Sequence, residues 1–201
     1  KMKFKKYTIK TLIVIIGSII SAYGITLAIG AGFGGATLAI LWQGITNVTG
    51  MSIGASSFVV AIAMIIFAFF YDRKQINVGT VLYQVIYSFF VDVFTKIQNY
   101  TDVKAINFGL MLLGILIFSF GTGLYSAADF GRGSYEAVTF SLAEKNNWKV
   151  KIVRMVLDLI VVIIGVLLGG KFGICTIATI LLSGPIIQAT VNAVKKTRLS
   201  K

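Results

Sequence analysis

Few residues in this chain can carry polar chemistry, and most of them stand in apolar surroundings. Asp92 and Asp158 interrupt long hydrophobic runs, and Asp129, Arg132 and Glu136 cluster at a glycine-rich stretch. Gln188 follows closely on the only proline, Pro185. A carboxylate at mid-bilayer costs on the order of 2.5–3.5 kcal/mol on insertion scales, so such a group must face a protein interior and a partner. Arg154 lies one helical turn before Asp158, and Lys96 one turn after Asp92, which is the spacing of ion pairs along a helix. For Asp158 this favours a structural pair near a span end. Asp92 has a second reading. Pro185 leaves a helix carbonyl unbonded one turn earlier, and Asp92 and Gln188 then line a central polar site beside it. Arg132 is suited to an anionic group through paired hydrogen bonds, and Asp129 to starting a helix as its N-cap. A solvated loop is the plain alternative for that cluster. The candidate substrate-binding residues are therefore Asp92, Arg132, Glu136 and Gln188.

What is missing narrows the chemistry further. The chain has no histidine, the commonest general base and metal ligand. Its one cysteine, Cys175, excludes an internal disulfide and a cysteine-based zinc cluster, and reads as a buried small residue. The expectation is no catalytic residue, no metal and no cofactor, hence not an enzyme. Gly30-Ala-Gly-Phe-Gly-Gly35 satisfies Gly-x-Gly-x-x-Gly in letters only. A dinucleotide site needs a strand before it and an acidic residue about 20 positions on, and neither is present. Those glycines read as the end of a span and as close packing of backbones.

The elements that must position these residues are membrane helices. Of 201 residues, 57% are hydrophobic and 13% charged, against about a quarter charged in soluble domains. The apolar runs are continuous rather than alternating, which selects helices over a barrel. A span needs about 20 apolar residues. Six segments meet that: Thr8–Ile29, Ile53–Tyr71, Val78–Ile97, Ala105–Ala127, Val150–Gly169 and Ile174–Val194. The first is read as a span and not as a cleaved leader. Two shorter segments, Gly35–Val48 and Ser134–Lys145, are too short to cross and read as re-entrant or interfacial helices. Trp42, Gln43 and Asn47 give the first of them the look of an interfacial anchor, and Trp148 the look of a cytosolic-interface residue.

The net charge of +12 belongs to span ends and tails, not to a nucleic-acid surface. With six spans, the lysine-rich N-terminus, Arg73, Lys74, the Arg132–Arg154 stretch and the C-terminal tail all face the cytosol. Only Lys96, Lys104 and Lys171 face outward. The positive-inside rule is satisfied, though an eight-span arrangement satisfies it nearly as well.

Shifting the chain by 97 residues superposes Gly17 on Gly114, Gly24 on Gly121, Phe33 on Phe130 and Gly34 on Gly131. A shift of 96 superposes Val78 on Ile174, Thr80 on Thr176 and Asp92 on Gln188. The chain thus reads as one all-α membrane domain over 1–201, with repeat one at 8–98, repeat two at 105–194 and a basic cytosolic tail at 195–201. Three spans per repeat is an odd number, so the halves are inverted. Inverted repeats with broken helices recur in secondary transporters, whose sites lie at the repeat interface.

Along the chain stand, in order, Gly24-x-x-x-Ala-Ile-Gly-Ala-Gly-Phe-Gly-Gly-Ala36, Val48-Thr-Gly-Met-Ser-Ile-Gly54, Val78-Gly-Thr80 with Asp92, Phe130-Gly-Arg-Gly-Ser-Tyr-Glu136, Thr176, and Ser183-Gly-Pro-Ile-Ile-Gln188. Over nearly the whole chain this order resembles the YczE/YitT-type family of bacterial membrane proteins. Where that family carries a Ser-Pro-Trp-Asp-like run, the first copy here has Ala36-Thr-Leu-Ala39, while the second keeps Tyr135 and Glu136. The resemblance implies a multi-pass protein of the bacterial cytoplasmic membrane, loosely grouped with transporters.

The function expected is a small transporter or permease for a small molecule or ion, with both termini cytosolic. The alternative is a non-transporting membrane partner, either a regulator or an importer's substrate-binding subunit. Expected partners are membrane lipids, a small ligand, and a second copy or a partner membrane protein, with no nucleic acid.

Overall fold

The computed structural model describes residues 2–197, with side chains over 7–197; the end of the basic tail lies outside the described residues. All regular structure among them is helical. Eight α-helices follow in order: α1 (Met2–Gly30), α2 (Thr37–Thr49), α3 (Ile53–Tyr71), α4 (Val78–Ile97), α5 (Lys104–Ala127), α6 (Ser134–Asn146), α7 (Val150–Leu167) and α8 (Ile174–Lys196). One 3-10 turn, Arg73–Gln75, joins α3 to α4. The helix limits fall within two residues of those expected, except that α1 begins at Met2, six residues before Thr8.

Five helices, α1, α3, α4, α5 and α8, are long and apolar enough to cross a membrane. The expected span on α7 differs. Its 18 residues include Lys151, Arg154 and Asp158, too many charges for an ordinary span. Its other faces are apolar and exposed, at Met155, Val156, Leu159, Ile160 and Ile163. Exposed side chains such as Phe70, Leu167 and Leu181 fit a hydrocarbon solvent, in which helices satisfy their own backbone groups. Buried hydroxyls follow the same rule. Ser18, Ser119, Thr139 and Thr179 each donate to the carbonyl one turn back on their own helix.

The core is the crossing of α1 with α5. Gly17 opposes Gly121 and Tyr125, while Gly24 opposes Gly114 and Phe118. Numbers rise along one helix as they fall along the other, so the two run antiparallel. A Cβ on Gly17 would sit 2.7 Å from the Tyr125 nitrogen and 2.9 Å from the Gly121 oxygen. These glycines therefore set the distance between the helices, and Ser21 and Thr122 share a hydrogen bond across the seam at 3.2 Å.

Around this crossing α4 packs on α1 and α8 on α5. The breaks after α1 and α5 are stitched to the starts of the later helices. Gly79 N donates to Phe130 O at 3.1 Å, and Cys175 N donates to Phe33 O at 2.9 Å. Gly32 and Gly34 in the first break have φ of 88° and 96°, a region open to glycine and strained for most other residues. Cys175 is fully buried.

Each short helix has 13 residues, about 20 Å at ~1.5 Å per residue, against a hydrocarbon core of about 30 Å. Both start at buried residues, Thr37 and Ser134, and end among exposed ones, Thr49 and Asn147. α2 packs on α7 and α3, and α6 on α3 and α7.

Three local expectations are corrected. Trp42 is not an interfacial anchor: it is 4% exposed, in the core. Its polar neighbours on α2 are tied to the α7–α8 turn, where Gln43 accepts from Lys171 N at 3.1 Å and Asn47 donates to Gly169 O at 2.7 Å. Asp129 does not cap α6. The N-cap is Gly133, because Asp129 lies in a left-handed turn, with φ 49°, four residues earlier. Nor does Asp92 pair with Lys96; it clamps the start of α3, taking Ser52 Oγ at 2.6 Å and Gly54 N at 2.7 Å.

Candidate functional site

The first turns of α2 and α6 meet in one cavity. It has a volume of about 480 Å³ and takes its walls from α1, α2, α4, α5, α6, α7 and α8. Ala36, Thr37 and Leu38 enter from one side, and Ser134, Tyr135 and Glu136 from the other. Neither N-terminus is capped by a side chain. Leading amides of a helix have no partner within it and carry the positive end of its dipole.

Three charges line this cavity: Glu136, Arg154 and Asp158. Arg154 bridges the other two, with Nη1 3.4 Å from Glu136 Oε1 and Nε 3.5 Å from Asp158 Oδ2. Its guanidinium lies over the Tyr135 ring, 4.2 Å from the centroid. The Tyr135 hydroxyl donates to Asp158 Oδ1 at 2.7 Å. Both ion-pair distances exceed the 2.7–2.9 Å of a tight charge-assisted bond, so the arginine is shared loosely. One cation against two carboxylates leaves an excess negative charge. Of the two, Asp158 is the more tightly held, by Tyr135; among the described residues Glu136 has only Tyr125 OH at 3.5 Å besides the arginine.

Aromatic rings make another wall. Tyr83 stacks on Tyr125, centroids 3.9 Å apart, and on Tyr87 at 5.2 Å, and Trp42 meets Tyr87 edge-on at 6.0 Å. The indole N–H of Trp42 is buried and has no hydrogen-bond partner among the described residues, which is unusual for a buried tryptophan. Gln84 completes the polar lining, donating to Ser88 Oγ at 2.8 Å and accepting from Ser134 Oγ at 3.3 Å.

A second cavity, of about 590 Å³, lies beside the first and is polar, with Lys74, Asn77, Asp129, Arg132, Glu144 and Lys195 in its walls. Tyr125 and Glu136 line both cavities.

Of the four residues expected to bind substrate, three lie at these cavities. Glu136 lines both, Gln188 the first and Arg132 the second. Gln188 sits on α8 one turn beyond Pro185, which the helix accommodates without breaking; its amide donates to Asn192 Oδ1 at 2.9 Å. Arg132 stacks on Phe140 at 3.6 Å and reaches Glu144 at 4.0 Å. Asp92 lines neither cavity. The residues that sequence reasoning missed are Trp42, Tyr83, Tyr87 and Tyr125, and it saw Arg154 only as a partner of Asp158. The one available signal was the Tyr83–Tyr87 spacing, which stacks two rings on one face of α4.

A family model described as a family of unknown function, DUF6198, matches residues 8–192. An uncharacterized protein of Haemophilus influenzae is 27% identical over 83% of this chain and 76% of its own length. The uncharacterized membrane protein YczE of Bacillus subtilis is 26% identical over 86% of this chain and 80% of its own length. No solved structure matches.

Proposed function

The chain belongs to the DUF6198 family of YczE-like membrane proteins, and from that premise we propose that it is a small transporter or permease of the bacterial cytoplasmic membrane. The observation that carries this reading is the cavity into which two short, uncapped helices point their N-termini from different sides. Discontinuous helices of this kind build the sites of secondary transporters.

The reading includes six spans, with α7 among them, and two inverted halves. Its support is a reciprocal set of contacts. Gly17 and Gly24 superpose on Gly114 and Gly121 along the sequence, yet in space Gly17 meets Gly121 and Gly24 meets Gly114. That exchange is the mark of a two-fold axis. Because α1 and α5 are antiparallel, the axis lies across them, in the membrane plane. The Gly79–Phe130 and Cys175–Phe33 bonds repeat the exchange. With this topology both termini are cytosolic, and the second cavity opens inward through Lys74, Arg132 and Lys195.

A non-transporting partner needs no continuous path. The sharing of Tyr125 and Glu136 by adjoining cavities favours transport, with the Tyr83–Tyr125 stack as the closure between them. The test is thiol labelling of Ser183→Cys, on the α8 wall, in a Cys175→Ala background. A water-soluble maleimide applied separately to right-side-out and inside-out vesicles should label it from both faces. Protection from both faces removes the transport reading.

A further inference from the structure

We infer that the central cavity takes its ligand sideways from the bilayer, and that this ligand is a membrane amphiphile. One alkyl chain lies in the gap between α7 and α8, and a polar head reaches Glu136, Arg154 and Asp158. This rests on the cavity being a ligand site, and names the class of ligand and its way in.

The gap is seen in the packing. Among the described residues α3 and α4 pack along one another, whereas α7 and α8 do not. The cavity reaches this gap, with Arg154 and Asp158 of α7 and Ile180, Gly184 and Gln188 of α8 in its walls. Residues around a closed cavity are buried. These three on α8 are exposed, Ile180 by 53%, so the cavity is open on that side. Gly184 stands near the middle of α8, a helix long and apolar enough to cross a membrane. The opening therefore faces hydrocarbon.

Gly184 adds an independent observation. Glycine weakens a helix interior, and close packing is the usual return for it. Gly123 of α5 shows that return, being pressed by Ile187 and Thr190 of α8. A Cβ at Gly184 would meet nothing within 4 Å. Packing within this chain gives that glycine no role, and its missing side chain keeps the mouth of the cavity wide.

The chemistry of the mouth selects the occupant. The side chains of Arg154, Glu136 and Asp158 are 41%, 32% and 19% exposed. Charges at membrane depth are costly unless they meet a polar partner. Around them the surface is apolar, at Ile180 and Ile187 of α8 and at Met155 and Leu159 of α7. An occupant must be apolar along these side chains and polar at its inner end, which is the make-up of an amphiphile. The exposed faces of α3, α4 and α5 carry only apolar side chains between their end turns. A second copy docked through any of those faces would leave the charges unmet. The cavity volume of about 480 Å³ is within the range of about 300–1,000 Å³ found for small-ligand sites.

The experiment uses the full chain with Trp148→Phe, so that emission reports Trp42 alone, which is buried and lines the cavity. The chain is placed in nanodiscs of phosphatidylcholine with brominated acyl chains, which quench on close approach. We expect Trp42 to be quenched. Gly184→Phe and the smaller Gly184→Leu both fill the mouth in open space, and each should lose most of the quenching. Gly109→Phe, which also projects into open space but on α5, should keep it. In the same discs dodecylamine, dodecanoate, dodecyl maltoside and dodecane are added to compete. At least one headed probe should relieve quenching at a concentration about tenfold below dodecane. Glu136→Gln should shift that concentration, and Glu144→Gln, on the same helix but outside this cavity, should not. The inference is overturned if both Gly184 variants stay as strongly quenched as the open chain, if dodecane competes as well as every headed probe, or if Glu136→Gln shifts nothing. It is also overturned if Gly184→Cys, in a Cys175→Ala background, is oxidised fully to a disulfide dimer in vesicles, since a second copy then covers the gap. The Ser183→Cys labelling described above separates this inference from transport. Chain entry without labelling from both faces keeps the amphiphile and rejects transport; labelling from both faces without chain entry keeps transport and rejects the amphiphile.

Discussion

At the scale of residues, the polar groups divide into those that build and those that face the cavity. Asp92 builds. Two hydrogen bonds from the start of α3 end on its carboxylate, and bonds to a charged group contribute about 1.5–3 kcal/mol. Asp92→Ala should therefore lower the unfolding free energy in detergent by about 2 kcal/mol while probe affinity stays unchanged; a changed affinity at native stability would return Asp92 to the site. Tyr100, in the turn between α4 and α5, offers a pH test. Its half-buried hydroxyl donates to Thr26 O and Gln98 Oε1, and burial pushes its pKa up to about 12 from an ordinary value near 10. The folded chain then holds a proton that the unfolded chain releases between those values. This contribution is full below pH 10 and fades as pH rises toward 12. Detergent unfolding between pH 9 and 12 should show that decline, and Tyr100→Phe should flatten it. Which acids face the cavity was only partly legible. Glu136 stood out because its first-copy position is Ala39. Trp42 was misread because its helix has polar neighbours, and nothing in local pattern says that those neighbours bond the distant turn at Gly169–Lys171.

Elements were more legible than residues, because length and polarity are local properties while contacts are not. The two short segments stood apart from the long apolar ones by length alone, and each is a helix of 13 residues. The repeated glycines of α1 and α5 announced close packing, but not that each would oppose its partner's mate. That arrangement makes the seam intolerant of volume. A Cβ at Gly24 would run into the Phe118 backbone, and such overpacking costs about 1–3 kcal/mol. Gly24→Ala should lower thermal stability by that amount, whereas Gly109→Ala, which meets nothing on the same α5, should leave it unchanged or raise it by up to about 1 kcal/mol. Equal effects would mean that the seam is not set by its glycines. The legibility of α7 ran the other way. Its apolar run suggested an ordinary span, but Arg154 and Asp158 are turned to the cavity, so a helix with three charges keeps apolar faces outward.

For the molecule as a whole, the proposed reading has two halves, supported by the sequence shift and the reciprocal glycine contacts, and it puts the cavity where those halves differ. α3 closes on α4, α7 stands away from α8, and α6 has an acid where α2 has none. A shift-and-match comparison cannot reveal such departures, since it scores only what the halves share. The central claim is that the two short helices enter from opposite faces and aim their N-termini at one cavity. Its most direct test is impermeant-maleimide labelling of intact cells carrying Thr49→Cys or Asn147→Cys, both exposed helix ends, in a Cys175→Ala background. The account predicts that Thr49→Cys labels from outside and Asn147→Cys only after the membrane is opened. If both are protected until the membrane is opened, the short helices cross, the halves run parallel, and the account is contradicted.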